Sequence, residues 1–189
     1  MLRRRRHTTN AIAHIESIAT DITRINADVI VNAANEQLAA GGGVCGAIFA
    51  AAGHRRLQAA CNEIGYCATG DAVTTPSFNL AEHGISHIVH AVGPRWHAHS
   101  PDQADALLAA AYRSALNEAV AVGARSIAIP GISTGIFGFP MDRAAEVVAR
   151  VLTTESFDLD RITLVTLRAD GAAVYAAALD AARAAGEER

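Results

Sequence analysis

The chain of 189 residues has the length of one domain and can bury a substantial core. Its composition, 51% hydrophobic and 19% charged, is that of an ordinary soluble globular protein. The net charge of −3 argues against general nucleic-acid binding, and three cysteines without CxxC spacing argue against a disulfide framework or a redox motif.

The N-terminal segment carries the one strongly basic run, Arg3 to Arg6. No apolar stretch follows it, so we expect a flexible, solvated tail over residues 1–10 rather than a secretory signal. Residues 11–185 are expected to form a single domain. The sequence contains no apolar run of transmembrane length, so no membrane role is expected. The cysteine usage favours a reduced, cytoplasmic location.

Strands and helices alternate along this domain. Short apolar and β-branched runs predict strands at 12–20, 27–31, 72–78, 85–92, 126–129 and 162–167. Apolar periodicity predicts helices at 47–60, 102–122, 141–152 and 172–185, with Asp102 as the cap of the second. This alternation is typical of an α/β domain with a largely parallel sheet and helices on both faces, in which ligands bind at the carboxyl ends of the strands.

A glycine-rich loop follows the strand predicted at 27–31. Three consecutive glycines at 41–43 let a ligand approach the backbone closely, and a helix after them would direct free N–H groups at that ligand. This arrangement suits a phosphate or a pyrophosphate. The amides of Asn32 and Asn35 suit ribose hydroxyls, although asparagines in such a position also serve as turn residues that bond their own backbone.

A second glycine-bearing loop, residues 130–140, follows the strand predicted at 126–129. Phe137 and Phe139 alternate within it, which indicates that one ring points into the core and the other toward a cleft. We favour Phe137 for the cleft. Both rings could instead be simple core aromatics.

The sequence gives only weak signs of catalysis by a cysteine thiol or of metal binding by histidines. Cys45 follows the glycine triplet, at a position where a helix N-terminus would lower a thiol pKa, but no catalytic dyad is readable around it and a buried filler is the commoner role. His87 and His90 lie at odd spacing on one predicted strand, so they face opposite sides. No Cys/His pairing has zinc-ligand spacing, so neither a metal nor a cofactor is expected.

Five motifs, taken in order, resemble those of the MacroD-type macrodomains, which bind ADP-ribose. The likeness covers roughly residues 15–175 and rests on the segments 21–23, 32–35, 41–48, 90–94 and 132–140. It implies a three-layer α/β/α sandwich around a central mixed, largely parallel sheet. It also implies ADP-ribose or an ADP-ribosylated protein as the partner.

The resemblance assigns roles at the adenine end and along the diphosphate. Asp21 would accept a hydrogen bond from the adenine amino group, and the Ile22 backbone would help to place the ring; a plain cap is the alternative for Asp21. Arg168, in a region where the family often has an aromatic residue, would stack on adenine or lie on the surface. The two diphosphate loops would be lined by Gly42, Gly43, Val44 and Cys45, and by Ser133, Gly135, Ile136 and Phe137.

At the distal ribose the resemblance implies packing against Phe137 and hydrogen bonds from Asn35 to the ribose hydroxyls. Asn35 and Asn32 are the catalytic candidates, with Asn32 in support of Asn35. MacroD-type hydrolases carry Asp where this chain has Cys45 and His where it has Phe49. Viral macrodomains often have Ala or Cys at the first position and are still regarded as hydrolases, with a substrate phosphate proposed to help activate the water.

The function implied is hydrolysis of ester-linked ADP-ribose, from acidic protein side chains or from O-acetyl-ADP-ribose. The alternative is a non-catalytic ADP-ribose reader. A single-stranded RNA binder is a third reading, which the net negative charge disfavours.

Overall fold

A computed structural model describes residues 13–187. The basic tail predicted at 1–10 lies outside these residues. Within them a six-stranded sheet has the order β1-β6-β5-β2-β4-β3, in which every pairing is parallel except that of β3 with β4. The mixed, largely parallel sheet is therefore confirmed, with strands β1 His14–Ala19, β2 Val29–Ala33, β3 Ala72–Pro76, β4 His87–Ala91, β5 Ser126–Pro130 and β6 Arg161–Thr166.

In the described part of the chain, five α-helices cover the sheet on both faces. They are α1 Gly43–Ala52, α2 His54–Ile64, α3 Pro101–Ala121, α4 Met141–Thr154 and α5 Ala169–Glu187. Short 3₁₀ turns occupy Ile22–Arg24, Phe78–His83 and Trp96–Ala98. Among residues 13–187, no helix combines the length and the apolar character needed to cross a bilayer.

The core has two halves, one on each face of the sheet. Along β2, Val29 and Val31 face α3, α4 and α5, while Ile30 between them faces α1 and α2. All three side chains are fully buried. A continuous apolar run is expected of a strand covered on both faces, and it explains why β2 is not an alternating strand.

The helix predicted at 47–60 is wrong in both its start and its continuity. It begins at Gly43, directly after the glycine loop, and Gly53 divides it into α1 and α2. Gly53 has φ 96°, a conformation that a glycine tolerates and that ends a helix. Helical propensity is low for the glycines at 43 and 46, so only packing places them in the first turn of α1.

The cap of the longest helix also differs from the prediction. Ser100, not Asp102, is the N-cap of α3, and its side chain accepts a hydrogen bond from the Gln103 N–H. Gln103 bonds back to the Ser100 N–H, which completes a capping box. Pro101 occupies the first helical position, where its missing N–H costs nothing.

Candidate functional site

A cavity of about 530 Å³ opens where the glycine loops after β2 and β5 meet the end of β6. This volume lies in the usual range for small-molecule sites. Apart from Asn32, every site residue predicted from the sequence lines it: Asp21, Ile22, Asn35, Gly42, Gly43, Val44, Cys45, Ser133, Gly135, Ile136 and Phe137. The roles of these residues toward a ligand remain predictions, but the fold brings them together.

The first glycine loop presents the uncapped N-terminus of α1 to the cavity. Gly42 is the N-cap of α1, and within residues 13–187 no side-chain cap bonds to the start of the helix. Gly43 has φ 59°, and a Cβ added there would meet no protein atom within 4 Å. The free N–H groups and the helix dipole therefore face open space that suits an anion.

The second glycine loop presents a matching set of donors. Among the described residues, no group accepts a hydrogen bond from the backbone N–H of Gly135, Ile136 or Phe137. Successive free N–H groups in a tight turn form an anion-binding concavity. Ser133 lies at the start of the loop with φ 66°, an uncommon conformation for a serine, and its buried hydroxyl has no described partner.

Gly93, at the end of the motif 90–94, sets the position of this second loop. A methyl group added at Gly93 would lie 2.2 Å from Ser133 Oγ and 2.5 Å from Ile132 Cγ2. Only a glycine allows such an approach. Gly93 also lines the cavity, so the segment after β4 packs directly against the loop after β5.

Asp21 combines the two roles considered for it. Its Oδ1 accepts hydrogen bonds from the Thr23 N–H at 2.9 Å and the Thr23 hydroxyl at 2.8 Å, which caps the short turn Ile22–Arg24. These bonds lower the pKa of the carboxyl group. The ionised side chain is half-exposed and lines the cavity, so it retains acceptor capacity for a donor such as an amino group.

Asn35 also contacts its own loop. Its amide donates to the Ala39 carbonyl at 2.8 Å and accepts from the Ala39 N–H at 3.0 Å. Both bonds are of the turn type, yet the residue lines the cavity and keeps one N–H and one lone pair free. The local bonds hold the amide in place beside a ligand.

Asn32 does not line the cavity, which corrects the expectation that it acts beside Asn35 as a catalytic group. Its side chain is buried on the α1/α2 face of the sheet, with Nδ2 at 3.1 Å from His90 Nδ1. The reason is the two-residue period of a strand, which directs position 32 to the same face as Ile30. Asn32 therefore lies behind the site in a supporting position.

His90 joins Asn32 to two further side chains. Its Nε2 lies 2.9 Å from Thr75 Oγ1 and 3.8 Å from Cys61 Sγ. Burial lowers the pKa of His90 to about 4, so the ring is neutral at physiological pH. Burial also raises the pKa of the Cys61 and Cys67 thiols to about 11, which leaves them protonated.

The two positions that depart from MacroD-type hydrolases differ in their access to the cavity. Cys45 is buried but contributes to the cavity wall. Phe49 is buried on the α1/α2 face and packs edge-on against His54 and His90, with ring centroids 5.6 Å and 6.4 Å away. Neither residue brings a base to the cavity, and Asp21 is the only carboxylate among the described lining residues.

The alternation of Phe137 and Phe139 places the rings as predicted. Phe137 lines the cavity, whereas Phe139 is buried against Trp96 with ring centroids 4.8 Å apart. The Trp96 N–H donates to the Phe137 carbonyl at 2.9 Å, which ties the second loop to the short turn Trp96–Ala98.

Some wall residues were missed from the sequence. Leu167, at the end of β6, lines the cavity and is 83% exposed, and Val165 and Thr166 before it also belong to the wall. Arg168, considered for stacking on adenine, instead pairs with Asp170 at 3.1 Å and is not part of the wall. The carboxyl-end rule applied to β6 would have identified residues 165–167.

No group of three or more His, Cys, Asp or Glu side chains between residues 13 and 187 is arranged to hold a metal ion.

Comparison with known proteins agrees with this fold and cavity. The Macro domain family model matches residues 31–148. A macro domain-containing protein of Ralstonia nicotianae is 44% identical over 169 residues, which cover 89% of this chain and 96% of that protein. The O-acetyl-ADP-ribose deacetylase of Klebsiella pneumoniae is 44% identical over 167 residues, covering 85% and 93%.

Solved structures of macrodomains have the same fold as this chain. The Oceanobacillus iheyensis macrodomain with ADP superimposes with a TM-score of 0.83 at 33% identity, covering 93% of this chain and 95% of that one. The Trypanosoma brucei macrodomain in complex with ADP-ribose gives a TM-score of 0.75 at 32% identity, covering 87% and 68%. With a family match over more than half of its length, the chain belongs to the macro domain family.

Proposed function

We propose that this protein binds ADP-ribose in the cavity and hydrolyses ester-linked ADP-ribosyl groups, from O-acetyl-ADP-ribose or from modified acidic side chains. One observation carries the proposal: two separate glycine loops line one cavity with backbone N–H groups that have no partner in the described part of the chain. A diphosphate presents several acceptor oxygens to such paired sets of donors.

The remaining wall groups suit the two ends of the ligand. Asp21 offers an ionised acceptor for the adenine amino group, and the exposed apolar side chain of Leu167 offers a surface for the ring. Phe137 and Asn35 suit the distal ribose, the first by packing and the second by hydrogen bonds to hydroxyls.

Hydrolysis would proceed by attack of water on the ester carbonyl, which releases a carboxylic acid and the free ribose hydroxyl. The protein contributes positioning and electrostatic stabilisation, because the wall offers backbone donors and Asn35 but no activated nucleophile. Relatives named O-acetyl-ADP-ribose deacetylase, at 41–44% identity, support this reaction class.

A non-catalytic reader is the second candidate. It is favoured by Cys45 and Phe49, which leave Asp21 as the only described carboxylate of the wall, at the end of the cavity assigned to adenine. The same donors would then hold ADP-ribose without turnover.

Two measurements test these proposals. Calorimetry should show tighter binding of ADP-ribose than of AMP, and equal affinities would contradict a site built for the whole diphosphate-ribose. Single-turnover release of ADP-ribose from a glutamate-modified protein, with enzyme in excess, should then occur and should be unaffected by EDTA. Binding without release would establish the reader instead.

A further inference from the structure

Arg95 lies over the ring of Phe137, the wall residue that the proposed function assigns to the distal ribose. Its guanidinium carbon is 4.4 Å from the centroid of Phe137. Arg95 is exposed, whereas Phe137 is half-buried and contributes to the cavity wall. With the distal ribose beside Phe137, as proposed above, this exposed cation would lie close to a group attached to that ribose.

Hydrogen bonds and ring contacts of the neighbouring residues fix the backbone at Arg95. The next residue, Trp96, bonds through its N–H to the Phe137 carbonyl and packs its ring on Phe139. The Arg143 guanidinium lies 5.6 Å from the Trp96 ring and is itself fixed by Asp105 at 2.7 Å. This support reduces the conformational entropy that Arg95 would lose on binding a ligand.

The positive charge of Arg95 is not neutralised by a described carboxylate and can therefore interact with a ligand. Among the described residues no carboxylate forms an ion pair with it, in contrast to Arg143 with Asp105 and Arg168 with Asp170. No hydrogen bond from the Arg95 guanidinium is formed among the described residues, so its N–H donors are free for a ligand while its carbon lies over the Phe137 ring. These donors suit a bidentate contact with a carboxylate.

From these contacts we propose that Arg95 determines substrate specificity by recognising a carboxylate next to the ADP-ribosylated position. The cavity then prefers ADP-ribose carried on an acidic peptide segment over ADP-ribose on a neutral segment. This inference rests on the proposed function, because it takes Phe137 as the neighbour of the distal ribose. It assigns to the protein a substrate class, modified acidic segments, beyond the small acetyl ester.

The test compares two peptides that carry ADP-ribose through a hydrolysis-resistant linkage and differ only in having Glu or Gln on either side of it. Binding of each peptide and of free ADP-ribose is measured by calorimetry at low salt. The variants are Arg95→Ala, Arg95→Lys and Arg95→Glu. Arg55→Ala is the control, since Arg55 is an exposed arginine of α2 that does not line the cavity.

Wild type and Arg55→Ala should bind the Glu-flanked peptide about two- to fivefold more tightly than the Gln-flanked peptide, as expected of an exposed ion pair, and high salt should reduce the difference. Arg95→Ala should remove the preference, Arg95→Glu should reverse it and Arg95→Lys should keep part of it. Free ADP-ribose should change by less than about threefold in all variants.

Three results would overturn the inference: no preference in wild type, a preference that survives in Arg95→Ala, or an equal loss for all three ligands. The last would mean that Arg95 only supports Phe137. Failure of free ADP-ribose to bind wild type is a different result, because it would overturn the proposed function and this inference with it.

Discussion

At the level of single residues, Asp21 illustrates how one carboxylate can serve both the fold and the site. Oδ1 is used in capping the turn Ile22–Arg24, while the half-exposed side chain faces the cavity. The capping bonds keep the group ionised by lowering its pKa and also limit its rotation. A cap and a ligand contact are therefore compatible at this position.

Asp21→Ala should weaken ADP-ribose binding by roughly 1.5–3 kcal/mol, the range for a hydrogen bond to a charged group. Loss of the cap should reduce stability by only about 1 kcal/mol, so the variant should still fold. Calorimetry of the folded variant measures the effect. Asp170→Ala, which removes a surface carboxylate outside the cavity, should bind normally; equal affinities for both variants would show that adenine is not held at Asp21.

Asn35 should matter more to turnover than Cys45. Misplacing the reacting centre by about 1 Å can reduce a rate on the order of a hundredfold, which is the expected loss for Asn35→Ala in single-turnover release. Cys45→Ala should change the rate by roughly threefold or less, because the thiol supplies packing and no general base. Cys45→Asp restores the MacroD-type residue and should speed release.

The opposite ranking would refute this scheme. If Cys45→Ala abolishes release while the variant still binds ADP-ribose, the reaction uses the thiol. Asn35→Ala must be checked for binding as well, because the amide also closes the loop to Ala39.

At the level of elements, the site depends on a helix that begins without a side-chain cap. The first N–H groups of a helix have no partner within the helix, and a capping side chain commonly bonds to them, as Ser100 does at α3. At α1 the glycines leave the same groups facing the cavity. The uncapped start costs some helix stability and leaves a binding surface for an anion.

Gly43→Glu should abolish ADP-ribose binding while the protein stays folded. The new side chain would fill the space next to the loop, and its carboxylate would repel the diphosphate. The control is Gly123→Glu. Gly123 has a φ of 78°, similar to the 59° of Gly43, and the space around its Cβ position is also open. It differs in its location, after α3 and outside the cavity. Each change should cost about 1–2 kcal/mol of backbone strain, measured by thermal unfolding followed by circular dichroism.

Only the Gly43 change should remove binding. Retained tight binding in a folded Gly43→Glu variant would mean that the loop is a turn without contact to the ligand.

At the level of the whole molecule, buried polar contacts around His90 link three strands of the sheet. His90 on β4 contacts Thr75 on β3 and Asn32 on β2, so three adjacent strands share one neutral imidazole. With Asn32 Nδ2 as the donor, Nδ1 is the acceptor and the ring proton is on Nε2. Protonation of Nδ1 would break this contact and place a charge in the core.

His90 should make the free energy of unfolding depend on pH between about 4 and 6.5. Its folded pKa of about 4 lies below the ordinary value of 6.5, so in this window the unfolded chain binds a proton that the folded chain does not. Stability should therefore fall as the pH is lowered, by up to about 3 kcal/mol over the window.

Urea unfolding of wild type and His90→Gln at several pH values checks this prediction. The variant should lose the additional slope, whereas His87→Gln, a change at the half-buried histidine of the same strand, should keep it. Parallel pH profiles for wild type and His90→Gln would contradict the role given to burial.

Much of this architecture could be predicted from local patterns alone. Apolar β-branched runs such as 27–31 identified the strands, since their burial on both faces leaves few other choices of residue. Glycine clusters directly after two of these strands located both loops of the cavity, because parallel strands bring their carboxyl ends to one edge of the sheet. The preference for Phe137 over Phe139 as the ring that reaches the cavity also agrees with the structure.

Only the tertiary structure decided the features that depend on contacts distant in sequence. The start of α1 at Gly43, within a run of glycines, goes against local helix propensity, because glycine is a poor helix former. The pairing of β2 with β4 brings Asn32 against His90, which is 58 residues away in the sequence. The pleat of β6 likewise decides that Leu167, and not Arg168, lies in the cavity wall. A local sequence pattern carries residue type and period, but the partner of a side chain is determined when the sheet assembles.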